Sequence, residues 1–180
     1  NFEDVLQVGC IINTFIRRAD VVGIACIAQL VNVIAPIMTE PGGASWKQTI
    51  YYPFQFASRY GRGTALKLDV DCPSYNADIA ANVSYLDVAG VHDGDAGTVT
   101  FFAVNRHESE AITIDLALER FGEAKSVEHT LIKHDDLEAV NSKNNPDNVK
   151  PEKKDGATLS GGKVSVTVPP YSYSMIRVTL

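Results

Sequence analysis

The chain has 180 residues, 45% of them hydrophobic and 21% charged, which is enough for one or two domains with buried cores. Its formal net charge of -6, with both signs scattered along the sequence, argues against a nucleic-acid or anionic-membrane surface, because either partner needs a concentrated basic patch. The longest apolar run, Ile24 to Ile37, is interrupted by Gln29, Asn32 and Pro36 and is shorter than the roughly 20 residues of a membrane span, so it reads as protein interior.

The first predicted element is a helix. Asn1 is suited to cap it, Glu3 and Asp4 stand in its first turn, Val5, Val8, Ile12 and Phe15 recur at helical spacing, and Arg17 and Arg18 close it. After Asp20 and Gly23, the run Leu30-Val31-Asn32-Val33-Ile34-Ala35 is short, apolar and rich in β-branched residues, the pattern of a parallel strand covered on both faces. A loop over 38–47 follows. Ser45 and Gln48 have capping-box spacing and predict a second helix with an apolar stripe of Trp46, Ile50, Phe54, Ala57 and Tyr60, ending at Gly61. Pro53 fits that helix only in its first turn, which would move the start later.

Beyond Arg62-Gly63-Thr64 the apolar period falls from about 3.6 to about 2. Strands are expected over Leu66–Val70, Thr98–Val104, Ile112–Leu118, Val164–Val168 and Met175–Leu180. Turn signals at His92-Asp93-Gly94-Asp95, Asn105-Arg106-His107, Phe121-Gly122 and Ser160-Gly161-Gly162 separate them, so the region reads as an antiparallel β-sandwich. The polar stretch Asn141 to Lys154 reads as a long surface loop or crossing connection.

A helix, one parallel strand and a second helix cannot close a core alone, since a parallel strand needs hydrogen-bonding neighbours on both edges. If the unit is the last repeat of a (β/α)8 barrel, the loop after its strand opens on the face where such enzymes keep their active sites. The run "LVNVIAPIMTEPGGASWKQTIYYPF", with "NFEDVLQVGCIINTFIRRAD" before it and "ASRYGRGTALKL" after it, resembles the end of the catalytic barrel in glycoside hydrolase family 51, the α-L-arabinofuranosidases. "GTVTFFAVNR", "DLEAVNSKNNPDNVKP" and "VPPYSYSMIRVTL" resemble that family's C-terminal β domain, so the similarity runs over essentially the whole chain.

The resemblance implies a fold of two parts: residues 1–63 as the end of a (β/α)8 TIM barrel, and residues 64–180 as a jelly-roll-like antiparallel β-sandwich. It implies retaining hydrolysis of terminal non-reducing α-L-arabinofuranosyl residues by two glutamates, a nucleophile and an acid/base, with carboxyls roughly 5 to 5.5 Å apart. If the strand at Leu30 to Ile37 is the eighth barrel strand, both glutamates precede Asn1 and no catalytic residue lies in this chain. The expected partners are then an arabinofuranoside substrate, the remainder of the barrel and, for the parent enzyme, further copies of itself.

Gln48, in "WKQT", matches a glutamine that in the resembled family hydrogen-bonds furanose hydroxyls, and an amide that both donates and accepts suits vicinal hydroxyls. Its alternative role is the helix cap. Trp46 is expected either against a sugar face or as an anchor for the helix, and Asn32 either at the barrel mouth or bonded to a neighbouring loop. Glu40, an acid just past the strand, is expected in loop structure or an ion pair rather than in catalysis. His92, His107, His129 and His134 read as solvated surface, and Asp93 and Asp95 as a hairpin turn rather than a calcium loop.

No nucleophile elbow, P-loop or dinucleotide fingerprint is present, and neither a metal nor another cofactor is implied. Cys10, Cys26 and Cys72, odd in number and set among apolar residues, read as buried free thiols of a reducing compartment. The resembled enzymes are largely intracellular, and with these cysteines and no signal peptide legible at Asn-Phe-Glu-Asp a cytoplasmic parent is expected. Two alternatives stay open: a non-catalytic carbohydrate-binding or structural β-sandwich, which requires a surface platform of aromatics, and another barrel glycosidase family with an appended sandwich.

Overall fold

The structure, a computed structural model, describes residues 1–160 and 163–180; Gly161 and Gly162 of the expected turn lie outside the described residues. Helix α1 spans Phe2–Arg17. Asn1 Oδ1 accepts from the Asp4 backbone N–H at 3.0 Å, and the Asp4 carboxylate accepts from the Asn1 nitrogen at 2.6 Å, a reciprocal cap that satisfies donors the helix itself leaves free.

The expected parallel strand over Leu30–Ala35 does not form. Gln29, Asn32 and Val33 have φ of 58°, 64° and 57°, a left-handed backbone that no strand accommodates and that β-branched valine adopts only against strain. Leu30 and Val33 are 74% and 79% exposed, and one parallel bridge, Val31 to Ile37, is the only ladder contact of the run among the described residues. An apolar strand without neighbours has neither edge nor face to pair, and here it turns back on itself instead.

The loop expected over 38–47 is a β-hairpin. Strand β1, Ile37–Thr39, pairs antiparallel with β2, Ser45–Lys47, placing Met38 opposite Trp46. Gly42, at φ 62°, and the bonds Glu40 N–H to Ala44 O and Gly43 N–H to Glu40 O close the turn. The capping box expected at Ser45 is therefore absent, because Ser45 and Lys47 are strand residues. Helix α2 begins later, at Tyr51, and runs to Tyr60. Pro53 sits in its first turn, where its missing N–H has no intrahelical partner to lose.

The remaining strands are β3 (Thr64–Leu66), β4 (Ser74–Ala77), β5 (Ala80–Ser84), β6 (Leu86–Asp93), β7 (Thr98–Asn105), β8 (Ile112–Leu116), β9 (Ser126–Ile132), β10 (Glu152–Lys154), β11 (Thr158–Ser160), β12 (Lys163–Val168) and β13 (Ser172–Thr179). One antiparallel sheet has the order β10-β9-β13-β7-β6-β3 and a second has β11-β12-β8; β4 and β5 form a separate hairpin. The strand expected over Leu66–Val70 is only the short β3, and β10 occupies the end of the stretch expected to be loop.

The two sheets face each other across a core of alternate residues: Val88, Val99, Phe101, Ile176 and Val178 from the six-stranded sheet meet Ile114, Leu116, Val164 and Val166 from the three-stranded one. The other face of the large sheet is covered too. Val91, Phe102, Val104, Tyr173 and Met175 pack against Phe2, Val5 and Leu6 of α1 and Tyr52 and Phe56 of α2, so the architecture is three layers. Gly9 makes the close approach of α1 possible, since a Cβ there would sit 2.7 Å from Tyr173 Cδ2. At the other end of α1, Asn13 Nδ2 donates to Asp87 Oδ1 at 2.8 Å and Arg17 pairs with the same carboxylate at 3.1 Å, fixing the helix to β6.

Two further expectations are corrected by this packing. His129 is not solvated: it lies buried on β9, its Nε2 2.9 Å from Ser174 Oγ. Cys26 is not buried, because it lies in the uncovered 21–34 segment, while Cys10 and Cys72 are partly covered.

Candidate functional site

Trp46 and Gln48 lie at the end of β2, both half-buried. Gln48 is held twice by the preceding turn: its backbone N–H donates to Pro36 O at 2.8 Å and its Nε2 donates to Ala35 O at 2.8 Å. The side-chain amide is thus oriented by the protein, and its Oε1 takes no hydrogen bond from the described residues. Thr49, buried next to it, donates to Asn1 O at 2.5 Å and ties the stretch to the start of α1. The capping role open to Gln48 is not the one it plays.

Trp46 borders a cavity of about 300 Å³ whose other walls are Ile37, Ser45, Lys47, Tyr51, Pro146 and Asp147. A rigid aromatic face beside polar atoms suits an amphipathic ligand such as a sugar ring. The Lys47 ammonium stands 5.1 Å from the centre of the Tyr51 ring, which keeps that cation against the protein.

Asn32 is committed to the hairpin. Its Oδ1 accepts from the Thr39 backbone N–H at 2.7 Å and its Nδ2 donates to Thr39 Oγ1 at 3.0 Å, so it holds β1 against the preceding corner. Glu40 is committed to an ion pair: its Oε2 lies 2.7 Å from Lys143 Nζ. The sequence therefore identified residues that do lie in one neighbourhood, but it did not anticipate that the wall opposite Trp46 comes from the stretch 140–149. Pro146 and Asp147 supply that wall, Asn141 and Lys143 reach the hairpin beside it through Lys47 O and Glu40, and the one local signal, an Asn-Pro-Asp turn in a polar stretch, marks a loop without saying what the loop touches.

Elsewhere, His107 stacks on Tyr85 with ring centres 4.3 Å apart, and its Nδ1 accepts from the Glu110 N–H at 2.9 Å. His92 packs on Phe121. His134 Nδ1 accepts from the Asp136 N–H at 3.0 Å. Burial, with a contribution from Lys154, holds the His129 pKa below its ordinary value. Burial pushes the Cys10 thiol up to about 11, with Asp87 adding to the shift, so it stays protonated near neutrality and is a poor nucleophile. Among the described residues no cluster of three His, Cys, Asp or Glu side chains is placed to hold a metal ion, and no helix is long and apolar enough to cross a membrane.

Beside the hairpin, one flank of the molecule is apolar and open. A groove of about 600 Å³ lined by Ile11, Phe15, Ile24, Ile27 and Phe54 runs between α1, the 21–27 segment and α2. Ile24 is 86% exposed there. So continuous an apolar surface on a folded chain is of the kind that marks an interaction site.

The layered architecture is shared with a glycoside hydrolase: AbfB, a family 51 alpha-L-arabinofuranosidase from Bifidobacterium longum, has a TM-score of 0.92 and 29% identity, over 100% of this chain and 35% of that chain. The chain belongs to the alpha-L-arabinofuranosidase C-terminal domain family, whose model matches residues 1–172. The intracellular exo-alpha-(1->5)-L-arabinofuranosidase of Halalkalibacterium halodurans is 41% identical over 177 residues, 98% of this chain and 35% of that protein. The intracellular exo-alpha-(1->5)-L-arabinofuranosidase 1 of Bacillus subtilis is 42% identical over 178 residues, 99% of this chain and 35% of that protein. This chain thus spans about a third of the length of these relatives.

Proposed function

We propose that this chain is the C-terminal part of a retaining, cytoplasmic α-L-arabinofuranosidase that releases terminal non-reducing α-L-arabinofuranosyl residues from arabinose-containing oligo- and polysaccharides. Residues 1–63 are the end of its (β/α)8 barrel and residues 64–180 its sandwich. The observation that carries the reading is that the open apolar flank continues, through a second groove lined by Cys26, Leu30, Ile37, Tyr51 and Phe54, to the hairpin that carries Trp46. The rest of the barrel covers that flank and supplies neighbours for the unpaired Leu30–Ala35 run, and in doing so sets its two glutamates beside the hairpin. The shared family and the lengths of the relatives support the same arrangement.

In that site Gln48 Oε1 and its second N–H address furanose hydroxyls, and Trp46 faces the sugar. Neither performs the displacement. The upstream glutamates do so, one attacking the anomeric carbon while the other protonates the leaving oxygen and later activates water. Asn32 acts through the hairpin it braces. The parent enzyme assembles as a homo-oligomer, and the names of the relatives support the intracellular location.

The carbohydrate-binding alternative finds less support in the aromatics: Phe101, Phe102 and Tyr173 are buried in the two cores, and the half-buried Tyr75 and Tyr85 are packed on each other and on His107. The test is kinetic. In the complete enzyme Gln48→Ala lowers kcat/KM on an aryl α-L-arabinofuranoside by roughly 10- to 100-fold, about 1.4 to 2.7 kcal/mol, as expected for a lost sugar contact that leaves a hydroxyl unpaired. The 180-residue chain alone shows no turnover. Robust hydrolysis by the chain alone, or an unchanged kcat/KM in the variant, overturns the reading.

A further inference from the structure

We propose that the loop from Val140 to Val149 of the sandwich is a positioning element of the sugar site, acting through Asn141 on the backbone between Trp46 and Gln48 and through Lys143 on Glu40. The inference rests on the assignment of Trp46 and Gln48 to substrate binding. It adds that the sandwich sets the geometry of that site rather than only bracing the barrel.

Asn141 is 7% exposed, and its side chain is fully used. Oδ1 accepts from the Val149 backbone N–H at 2.7 Å, while Nδ2 donates both to Val149 O at 2.9 Å and to Lys47 O at 3.0 Å. The first two bonds close the loop across its neck. The third crosses 94 residues of sequence to the carbonyl between Trp46 and Gln48. A buried amide with every partner in place is a rigid strut, because breaking any one bond leaves a desolvated group.

The loop around Asn141 is itself stiff. Asn145 Nδ2 donates to Asn148 Oδ1 at 3.1 Å, Asn148 Nδ2 donates to Val140 O at 3.2 Å, and Val149 is buried in the core between sheet and helices. Its tip places Pro146 and Asp147 on the cavity wall facing Trp46. The Lys143–Glu40 pair, 2.7 Å long, holds the hairpin at its turn. Three contacts from one loop therefore reach the turn, the outgoing strand and the cavity of the same hairpin. That is more than a surface connection requires, and it is what fixing the direction of Trp46 and Gln48 requires.

Asn141→Asp is the sharpest substitution. It keeps the acceptor for the Val149 N–H but aims a carboxylate oxygen at the Lys47 and Val149 carbonyls, so it releases the hairpin while one of the two bonds across the loop's neck remains. In the complete enzyme this variant raises KM for an aryl α-L-arabinofuranoside about 10-fold with a smaller change in kcat. Glu40→Lys and Lys143→Glu each lower kcat/KM about 2- to 3-fold, and the double exchange restores it. Restoration is the readout that a direct role of either side chain on the sugar would not give.

Kinetics of Asn141→Asp equal to those of the unaltered enzyme, in a preparation where Gln48→Ala is impaired, overturns the positioning role and leaves the assignment of Gln48 standing. An unaltered enzyme that cleaves no arabinofuranoside overturns the functional reading itself. Should Asn141→Asp fail to fold, the exchange of Glu40 and Lys143 carries the test, and failure of the double exchange to restore kcat/KM overturns the proposal.

Discussion

Two runs of nearly the same chemistry meet opposite fates in this molecule. Thr98–Asn105 is a fully buried strand, every residue paired with β6 on one side and β13 on the other, with Val99, Phe101 and Ala103 in the sandwich core and Phe102 and Val104 in the helix-facing core. Leu30–Ala35 is equally apolar, yet it forms no strand and leaves Leu30, Val33 and Ile34 largely exposed. Intrinsic preference does not separate them; the supply of neighbours does. A β-branched run fits a pleated, covered surface, and this chain builds such a surface around β7 and none around residue 33.

The largest effect expected from this contrast is at β7. Phe102 is fully buried beneath the helices, so Phe102→Ala removes a ring and leaves a cavity, at a cost of about 3 to 5 kcal/mol by urea unfolding. That is a large share of the stability of a domain this size. A cost under about 1 kcal/mol would mean that the helices are not seated on the sheet as described.

The same contrast explains how much of the fold was legible in the sequence. Where burial is one-sided, alternation is plain: β8 and β12 read directly from Ile112, Ile114 and Leu116 and from Val164, Val166 and Val168. Helix α1 was legible because cap, first-turn acids and apolar stripe all agree. By contrast β6, with Val88, Ala89, Gly90 and Val91 in succession, is covered on both faces and has no period to read. The β1–β2 hairpin was hidden by Ser45 and Gln48, whose spacing imitates a helix cap.

The site divides in the same way. Trp46, Gln48 and Asn32, the candidates picked out in the sequence, lie around one hairpin, and Glu40, expected in loop structure or an ion pair, is in an ion pair. Asn141 was not identifiable, since its partner Lys47 lies 94 residues away and nothing local records that distance. His129 was misread for a related reason: Glu128 and Thr130 make its surroundings look polar, while the residue that satisfies it, Ser174, is on another strand.

His129 gives a smaller effect, dependent on pH. Its neutral form is favoured in the fold because burial opposes the charge, so the folded pKa lies below the 6.5 of an unperturbed imidazole. As pH falls through about 6.5, the unfolded chain takes up a proton that the folded chain does not, and stability falls with pH until the lower folded pKa is passed. Thermal unfolding from pH 7.5 to 5 should therefore show a loss that His129→Gln reduces. An identical pH dependence in the variant would assign the loss to other groups.

The smallest effect is the one that sharpens the contrast most. Leu30 is 74% exposed, so Leu30→Ala should change the stability of this 180-residue chain by no more than about 0.5 kcal/mol, the ordinary range for a surface substitution. If, as proposed, neighbouring barrel strands cover the run in the complete enzyme, the same change there should cost about 2 to 5 kcal/mol, because truncation then leaves a cavity. The two numbers have to be measured together, by unfolding the chain and the complete enzyme side by side. A small cost in both would mean that residue 30 is surface in both settings and that the apolar flank meets something other than the barrel. A large cost in the complete enzyme alone identifies the covering partner as the rest of the same polypeptide, and makes the exposed run a barrel strand waiting for its neighbours.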